Sequence, residues 1–434
     1  MLFRSWVKED LPVDTPDRIP YTVGHWKSGD TKAIAQCEGL FKNPSGQLKI
    51  VSMNIEALQR TKSPAEVFLT KFLKEHDCLL CIDESDTIKN PDAKRSETLM
   101  KLGLLAKYKR ILTGTPLNNS PFDFYSQFTF LDKSIFGQSF FAYKHTYAEI
   151  LPPTHPTIQA ILARGARFAP AIVAEDSSGR KIYKNLDVLK TKIADYSFTC
   201  TLEECEDLPE KVYETIYYEL DKDQRKNYNT LKTKAKLDLE SDTVTIVHKL
   251  TLLIRLQQLV QGFLPGDTTD MLHMYPDIKD NPRVQALLTI IDSIPEDEQV
   301  IIWCRFVEEI KALEKLFEGQ CITYYGETKN REENLGLFQS GKKRFWIGNT
   351  ATGGVGLNLT NSHHMIYYSN DFSYRNRDQS ESRQYRIGQK HNTVIYDIVA
   401  EDTIDEYIMT AIRTKKDLAV DMTDFTNLLV AGLR

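Results

Sequence analysis

Short, almost uninterrupted apolar runs recur along the chain, each ending in polar residues and separated from the next by helix-length stretches. They are LKIVSMN (48–54), CLLCID (78–83), RILTGTP (110–116), VIIWCRF (300–306), RFWIGNT (344–350), MIYYSND (365–371) and VIYDIVA (394–400). Apolar runs of this length read as strands buried on both faces, and their alternation with helical stretches implies parallel sheets covered by helices. The runs fall in two groups, before about residue 130 and after about residue 281. Two α/β sheet domains are therefore expected, with ligands outside the carboxyl ends of their strands and a cleft between them.

Between the groups the pattern changes. From 133 to about 280 the residues are rich in Lys, Leu, Tyr and Glu at helical spacing, apart from the β-like KVYETIYYEL (211–220). HKLTLLIRLQQLVQGF (248–263) predicts a helix stopped by Gly262. The turn-rich LPGDTTDMLHMYPDIKDNP (264–282) reads as a linker into the second sheet domain. The expected organisation is a first lobe over 1–132, a helical insertion and linker over 133–280, and a second lobe over 281–434.

Composition changes this picture little. The 434 residues are 41% hydrophobic and 26% charged, values of an ordinary globular chain with room for two or three cores. A net charge of −5 excludes a globally basic nucleic-acid binder, so any such binding must use local patches such as SYRNRDQSESRQYRIGQK (373–390). No apolar run reaches the roughly 18 residues of a membrane span, so no membrane partner is expected. Seven scattered cysteines fit a reducing, cytoplasmic setting. Cys78 and Cys81 form a C-x-x-C inside an apolar strand and are expected to be core residues.

The chemistry concentrates at strand ends. LLCIDESDTIKN (79–90) drives an apolar strand into Asp83, Glu84 and Asp86. Crowded carboxylates want a compensating cation, which fits Mg²⁺ with a nucleotide, although a polar loop after a core strand needs the same residues. In the first reading Asp83 holds Mg²⁺ and Glu84 activates the attacking water. LTGTPLNNS (112–120) ends a second strand in Thr113 and Thr115, suited to sensing the nucleotide or simply to making a turn. Farther on, Gly353, Gly354 and Gly356 permit close backbone approach to phosphate or sugar. Arg383 and Arg386, three apart, are expected on one face of a helical turn, where they either clamp a developing phosphate charge or form a solvated face.

Taken together these motifs resemble the Swi/Snf-type ATPases of helicase superfamily two. DESDTIKN, ILTGTPLNNSPFDFYSQFTFLDKSIFG (111–137), GVGLNLT (354–360) and QSESRQYRIGQ (379–389) are similar to motifs II, III, V and VI, and IVSMNIEAL (50–58) and VIIWCRF to motifs Ib and IV. The resemblance covers nearly the whole chain in the right order and is nearest to the compact forms of bacteria and their viruses. It implies two RecA-like parallel-sheet lobes and a DNA-dependent ATPase and translocase with ATP, Mg²⁺ and duplex DNA as ligands. Asp83 and Glu84 would be the metal-binding and water-activating acids, and Arg383 and Arg386 the arginine fingers. Gly356 and Gln389 would line the nucleotide cleft, and Asn54, Lys89, Asn118 and Thr350 would contact DNA phosphates. Asp86 stands where the family has His, Phe372 where larger members have Trp, and Tyr385 in place of a His. A catalytically inactive DNA-gripping module and a strand-separating helicase remain the competing readings.

The family's first motif, a G-x-G-K-T phosphate loop, has no counterpart here. GHWKSGDT (24–31) fits the spacing G-x-x-x-x-G-K-[ST] only with Asp30 in place of Lys, which reverses the charge logic. A strand–turn–helix connection is expected there instead. The first lobe thus looks truncated, and a separate polypeptide carrying the phosphate loop is one expected partner.

Overall fold

The computed structural model describes residues 20–42, 46–114, 116–117, 120–177, 181–200, 204, 208–240, 246–265, 271–353 and 357–414. The chain divides into two compact units, one reaching to Thr199 and the other running from Cys200. The strands are β1 (Tyr21–Trp26), β2 (Leu48–Met53), β3 (Leu79–Ile82) and β4 (Tyr108–Ile111) in the first unit. In the second they are β5 (Lys211–Tyr218), β6 (Phe263–Pro265), β7 (Met271–His273), β8 (Val300–Cys304), β9 (Cys321–Tyr324), β10 (Phe345–Asn349), β11 (His364–Tyr367) and β12 (Thr393–Ala400).

In the first unit the described strands pair two by two, β1 with β2 and β3 with β4, both parallel. Their shared core is aromatic: Trp26, Phe68, Phe72 and Phe130 are buried with Leu40, Leu58, Leu69 and Leu99. The helix Pro64–Glu75 supplies Phe68, Leu69 and Phe72 at helical spacing, is capped by Ser63, and carries Pro at its start where no N–H is missed. GHWKSGDT forms the expected strand, turn and helix. β1 runs to Trp26, and Asp30 caps the helix Thr31–Gly39 by accepting from the N–H groups of Lys32 and Ala33, both at 3.1 Å. The carboxylate occupies the amides that a phosphate would otherwise use. Cys78 is half-buried but Cys81 is exposed, so the expectation that both belong to the core holds for neither fully; period-two alternation turns Cys81 outward. Burial raises both thiols, and Asp77 and Asp83 add to the rise.

The second unit holds a six-stranded, all-parallel sheet in the order β5-β12-β11-β8-β10-β9. β8 is buried at every residue, as a central strand covered on both faces must be. Alternate residues serve opposite faces. Val300, Ile302, Cys304, Phe345, Ile347 and Ile366 pack with the helices Pro282–Ser293 and Val307–Leu316. Ile301, Trp303, Trp346, Met365 and Tyr367 pack with Phe338, Leu357 and Leu359. Each such large side chain contributes about 1.5–3 kcal/mol by leaving water.

The stretch between the two strand groups splits at about residue 200. The β-like run at 211–220 becomes β5, the edge strand of the second sheet, so that sheet reaches back far upstream of residue 281. The helix Ile246–Val260 ends before Gly262, whose φ of +89° and close neighbours Asn281 and Tyr275 leave no room for a side chain. The turn-rich 264–282 contains β7, antiparallel to β6. Among the described residues no helix is long and apolar enough to cross a membrane.

Candidate functional site

In the first unit the acids and Thr113 leave adjacent parallel strands. Ile82 pairs with Ile111, and the ladder continues past both ends: Leu112 N–H donates to Ile82 O and Ser85 N–H to Leu112 O, each at 2.9 Å. Asp83 is exposed and accepts the Glu84 N–H at 3.0 Å. Glu84 sits in the left-handed region, φ 49° and ψ 53°, and so turns the chain from strand into the 3-10 turn Ser85–Ile88. A non-glycine residue held there costs about 1 kcal/mol, the kind of local strain that concentrates at functional sites.

Gln127, which the sequence reading missed, locks this corner. Its buried side chain accepts from Ser85 Oγ at 2.8 Å and donates to Pro116 O and Asp123 O, both at 2.9 Å. The end of the acidic stretch is thereby fastened to the stretch after β4. Asn54 is exposed at the end of β2 and Lys89 is half-buried after the 3-10 turn. Thr113 is half-buried; Thr115 and Asn118 lie outside the described residues.

In the second unit residues 357–360, which follow the glycines, and the arginine motif dock on one another. Arg383 O accepts from Leu359 N–H at 2.9 Å, and Arg386 Nη1 donates to Leu357 O at 3.4 Å. Gln389 is buried and donates to Thr360 O at 3.3 Å, Ser362 O at 2.9 Å and Gln384 O at 3.4 Å. Its Oε1 accepts from the N–H groups of Lys390 and His391. The two arginines do not share a helical face as expected. The helix Tyr374–Glu381 ends first, and they occupy the turns beyond it, Arg383 buried and Arg386 half-buried. Gly354 and Gly356 lie outside the described residues, while Thr350 is buried at the start of the single turn Thr350–Gly353 after β10.

A buried ionic network fixes the helix that precedes the arginines. Arg377 donates to Glu381 Oε1 at 2.7 Å, Asn370 Oδ1 at 2.8 Å and both oxygens of Asp397 at 2.5 and 3.1 Å, with its guanidinium 3.5 Å from the Tyr367 ring centroid. Glu381 also accepts from Lys211 Nζ at 3.2 Å and Tyr213 OH at 2.8 Å. Burial pushes the Glu381 carboxyl up, yet Arg377 and Lys211 outweigh it and hold the group below its usual value. The network joins β5, β12 and the end of β11 to that helix. Its i,i+4 pair Arg377–Glu381 was readable in the sequence; the partner Asp397 was not.

Glu309 joins the ends of β8 and β11. Its Oε2 accepts from the N–H groups of Arg305 and Phe306, both at 3.0 Å, and from Ser369 Oγ at 2.6 Å. Burial pushes this carboxyl up to about 7 against those bonds. Between the ordinary Glu value and about 7 the folded chain keeps a proton that the unfolded chain has lost. This group's contribution to stability is therefore fully present at low pH and declines as pH rises through that window. On the order of 3 kcal/mol is at stake at about 1.4 kcal/mol per unit. Unfolding midpoints measured from pH 5 to 7 should show a slope that Glu309→Gln flattens; equal slopes in both proteins would remove Glu309 as its source.

The fold is α/β with parallel sheets, and two family models match the chain in succession: an SNF2-related domain over residues 41–262 and a helicase conserved C-terminal domain over residues 282–388. The chain belongs to the SNF2-related domain family. It is 24% identical over 353 residues to an uncharacterized ATP-dependent helicase of Mycoplasma genitalium, covering 78% of this chain and 30% of that protein. An uncharacterized ATP-dependent helicase of Mycoplasma pneumoniae is 24% identical over 400 residues, covering 87% and 35%. The chain thus spans about a third of the length of these curated relatives. Among solved structures, the Sulfolobus solfataricus SWI2/SNF2 ATPase core in complex with dsDNA aligns with 99% of this chain and 85% of its own, at 21% identity and a TM-score of 0.39.

Proposed function

We propose that this chain is a DNA-dependent ATPase that couples ATP hydrolysis to movement along duplex DNA, a translocase. The observation that carries the reading is the ordered pair of family domains, in a sequence that contains the acid pair and both arginines. In this reading Glu84 orients and deprotonates the attacking water. Arg383 and Arg386 stabilise charge on the phosphoryl group in flight, and Thr113 and Thr115 respond to its departure. Gly354, Gly356 and Gln389 shape the nucleotide's surroundings, Gln389 by holding the turn after Arg386.

The exposed carboxylate of Asp83 at a strand end suits Mg²⁺, a hard cation that takes oxygen donors and few protein ligands. When bound, Mg²⁺ neutralises phosphate charge. Asn54, Lys89, Asn118 and Thr350 are the proposed contacts to DNA phosphates, Asn54 being exposed at the end of β2. Because Asp30 fills the helix N-terminus at 30–33, the reading takes the cradle for the β- and γ-phosphates from outside that turn, in this or a separate polypeptide.

Steady-state ATPase measurements with and without duplex DNA test this. The chain alone is expected to turn over barely, and the addition of a polypeptide bearing a G-x-G-K-T loop should restore DNA-stimulated hydrolysis. Displacement of a triplex strand without separation of duplex strands is expected of a translocase. Separation of the duplex would make the protein a helicase, and absence of hydrolysis in every combination a binding module. DNA affinity should fall steeply with salt through counterion release, and affinity flat in salt would contradict the phosphate contacts.

A further inference from the structure

The chemistry proposed above lies at the carboxyl ends of the strands, but the opposite edge of the second sheet carries an unassigned cluster. Three neighbouring parallel strands, β12, β11 and β8, enter the sheet there, with His364 in register with Val300 and with Val394. Glu298 lies two residues before β8, His363 immediately precedes β11 and His364 opens it, and His391 lies two residues before β12. Glu298 Oε2 is 3.1 Å from His363 Nε2 and 2.7 Å from His364 Nε2. Glu298, His363 and His364 each bring a ligand atom to within 4.8 Å of the others. The His391 ring lies tilted against that of His363, with centroids 5.0 Å apart.

We infer that Glu298, His363 and His364 form a site for a divalent cation of the zinc class, with water as fourth ligand. The donor set, two imidazoles and one carboxylate with an open position, is one that zinc takes. Zinc–ligand bonds of about 2.0–2.1 Å place tetrahedral ligand atoms about 3.3 Å apart. The nitrogen–oxygen separations of 3.1 and 2.7 Å lie inside that edge, by about 0.2 and 0.6 Å, and side-chain rotations that open them complete the set. The scaffold is fixed independently of the cluster. Ser362 Oγ donates to Gln299 O at 2.7 Å, and Asn361 Nδ2 to Gln299 Oε1 at 2.6 Å, clamping the two entry segments together. Gln389 ties the His391 segment to Ser362. The site stays accessible, with the side chains of His363 and Glu298 23% and 30% exposed.

A cation here would staple the entries of β8 and β11 and stabilise the second unit, without touching the nucleotide. The test uses the whole chain, freed of metal with a chelator and titrated with Co²⁺ and then Zn²⁺. One Co²⁺ per chain with tetrahedral ligand-field absorption and no thiolate charge-transfer band is expected, displaced by Zn²⁺. Zn²⁺ should also raise the unfolding midpoint. Glu298→Gln with His363→Ala should weaken binding at least about tenfold and abolish that rise. Thiolate bands, no bound Co²⁺, or affinity unchanged in the double variant would each overturn the site. The wild-type spectrum decides the ligand type even where the variant folds poorly.

Discussion

Arg386→Ala is expected to lower ATP turnover by about 10³-fold or more in the phosphate-loop-supplemented protein, the range by which arginine fingers act. The guanidinium is half-buried and, among the described residues, held by one long bond, 3.4 Å to Leu357 O, so its loss removes little packing. Arg377 is the opposite case: breaking one partner of a buried pair typically costs about 3–5 kcal/mol and would confuse activity with unfolding. Arg386→Lys is the informative companion, because it keeps the charge and loses the planar fork. Turnover should stay low in Arg386→Lys while the unfolding midpoints of both variants match the parent. Full turnover in Arg386→Ala would confine Arg386 to fastening the turn against 357–359.

Glu84→Gln should reduce hydrolysis by about 10²–10⁴-fold while nucleotide binding persists. Glutamine copies the shape of glutamate and removes the charge that draws a proton from water. Glu84 already holds a left-handed backbone, so the substitution leaves that strain as it was. Single-turnover hydrolysis and equilibrium nucleotide binding separate the two effects. Equal loss of binding and turnover would mean that Glu84 serves the architecture of the corner rather than the water.

Most strands were legible because buried parallel strands write themselves as unbroken apolar runs; β8 and β12 are examples. β9 escaped notice because its four residues, CITY, carry too short a run to stand out from the polar stretch around them. The polar stretches at strand ends were equally readable, since apolar-to-acidic transitions are abrupt. What holds them in place was not. Gln127 sits among aromatics as one polar residue in a helix, and only the fold shows that it bridges Ser85 and Pro116. The arginine pair misled in geometry, because spacing of three fits a helix and also the successive turns that follow one.

The pairing of β5 with β12 has a consequence for how the protein is made. The segments that enter these two strands bond through Glu210 and Asn392, 182 residues apart. At about 5–20 residues per second, a ribosome needs roughly ten to forty seconds to deliver the second partner after the first has emerged. Throughout that interval β5 is a strand without a neighbour, and the sheet it belongs to cannot close until β12 has emerged. Slow, late closure of a long-range parallel pair exposes an edge to other nascent chains. The charged members of β5, Lys211 and Glu214, are placed where a waiting edge most needs them.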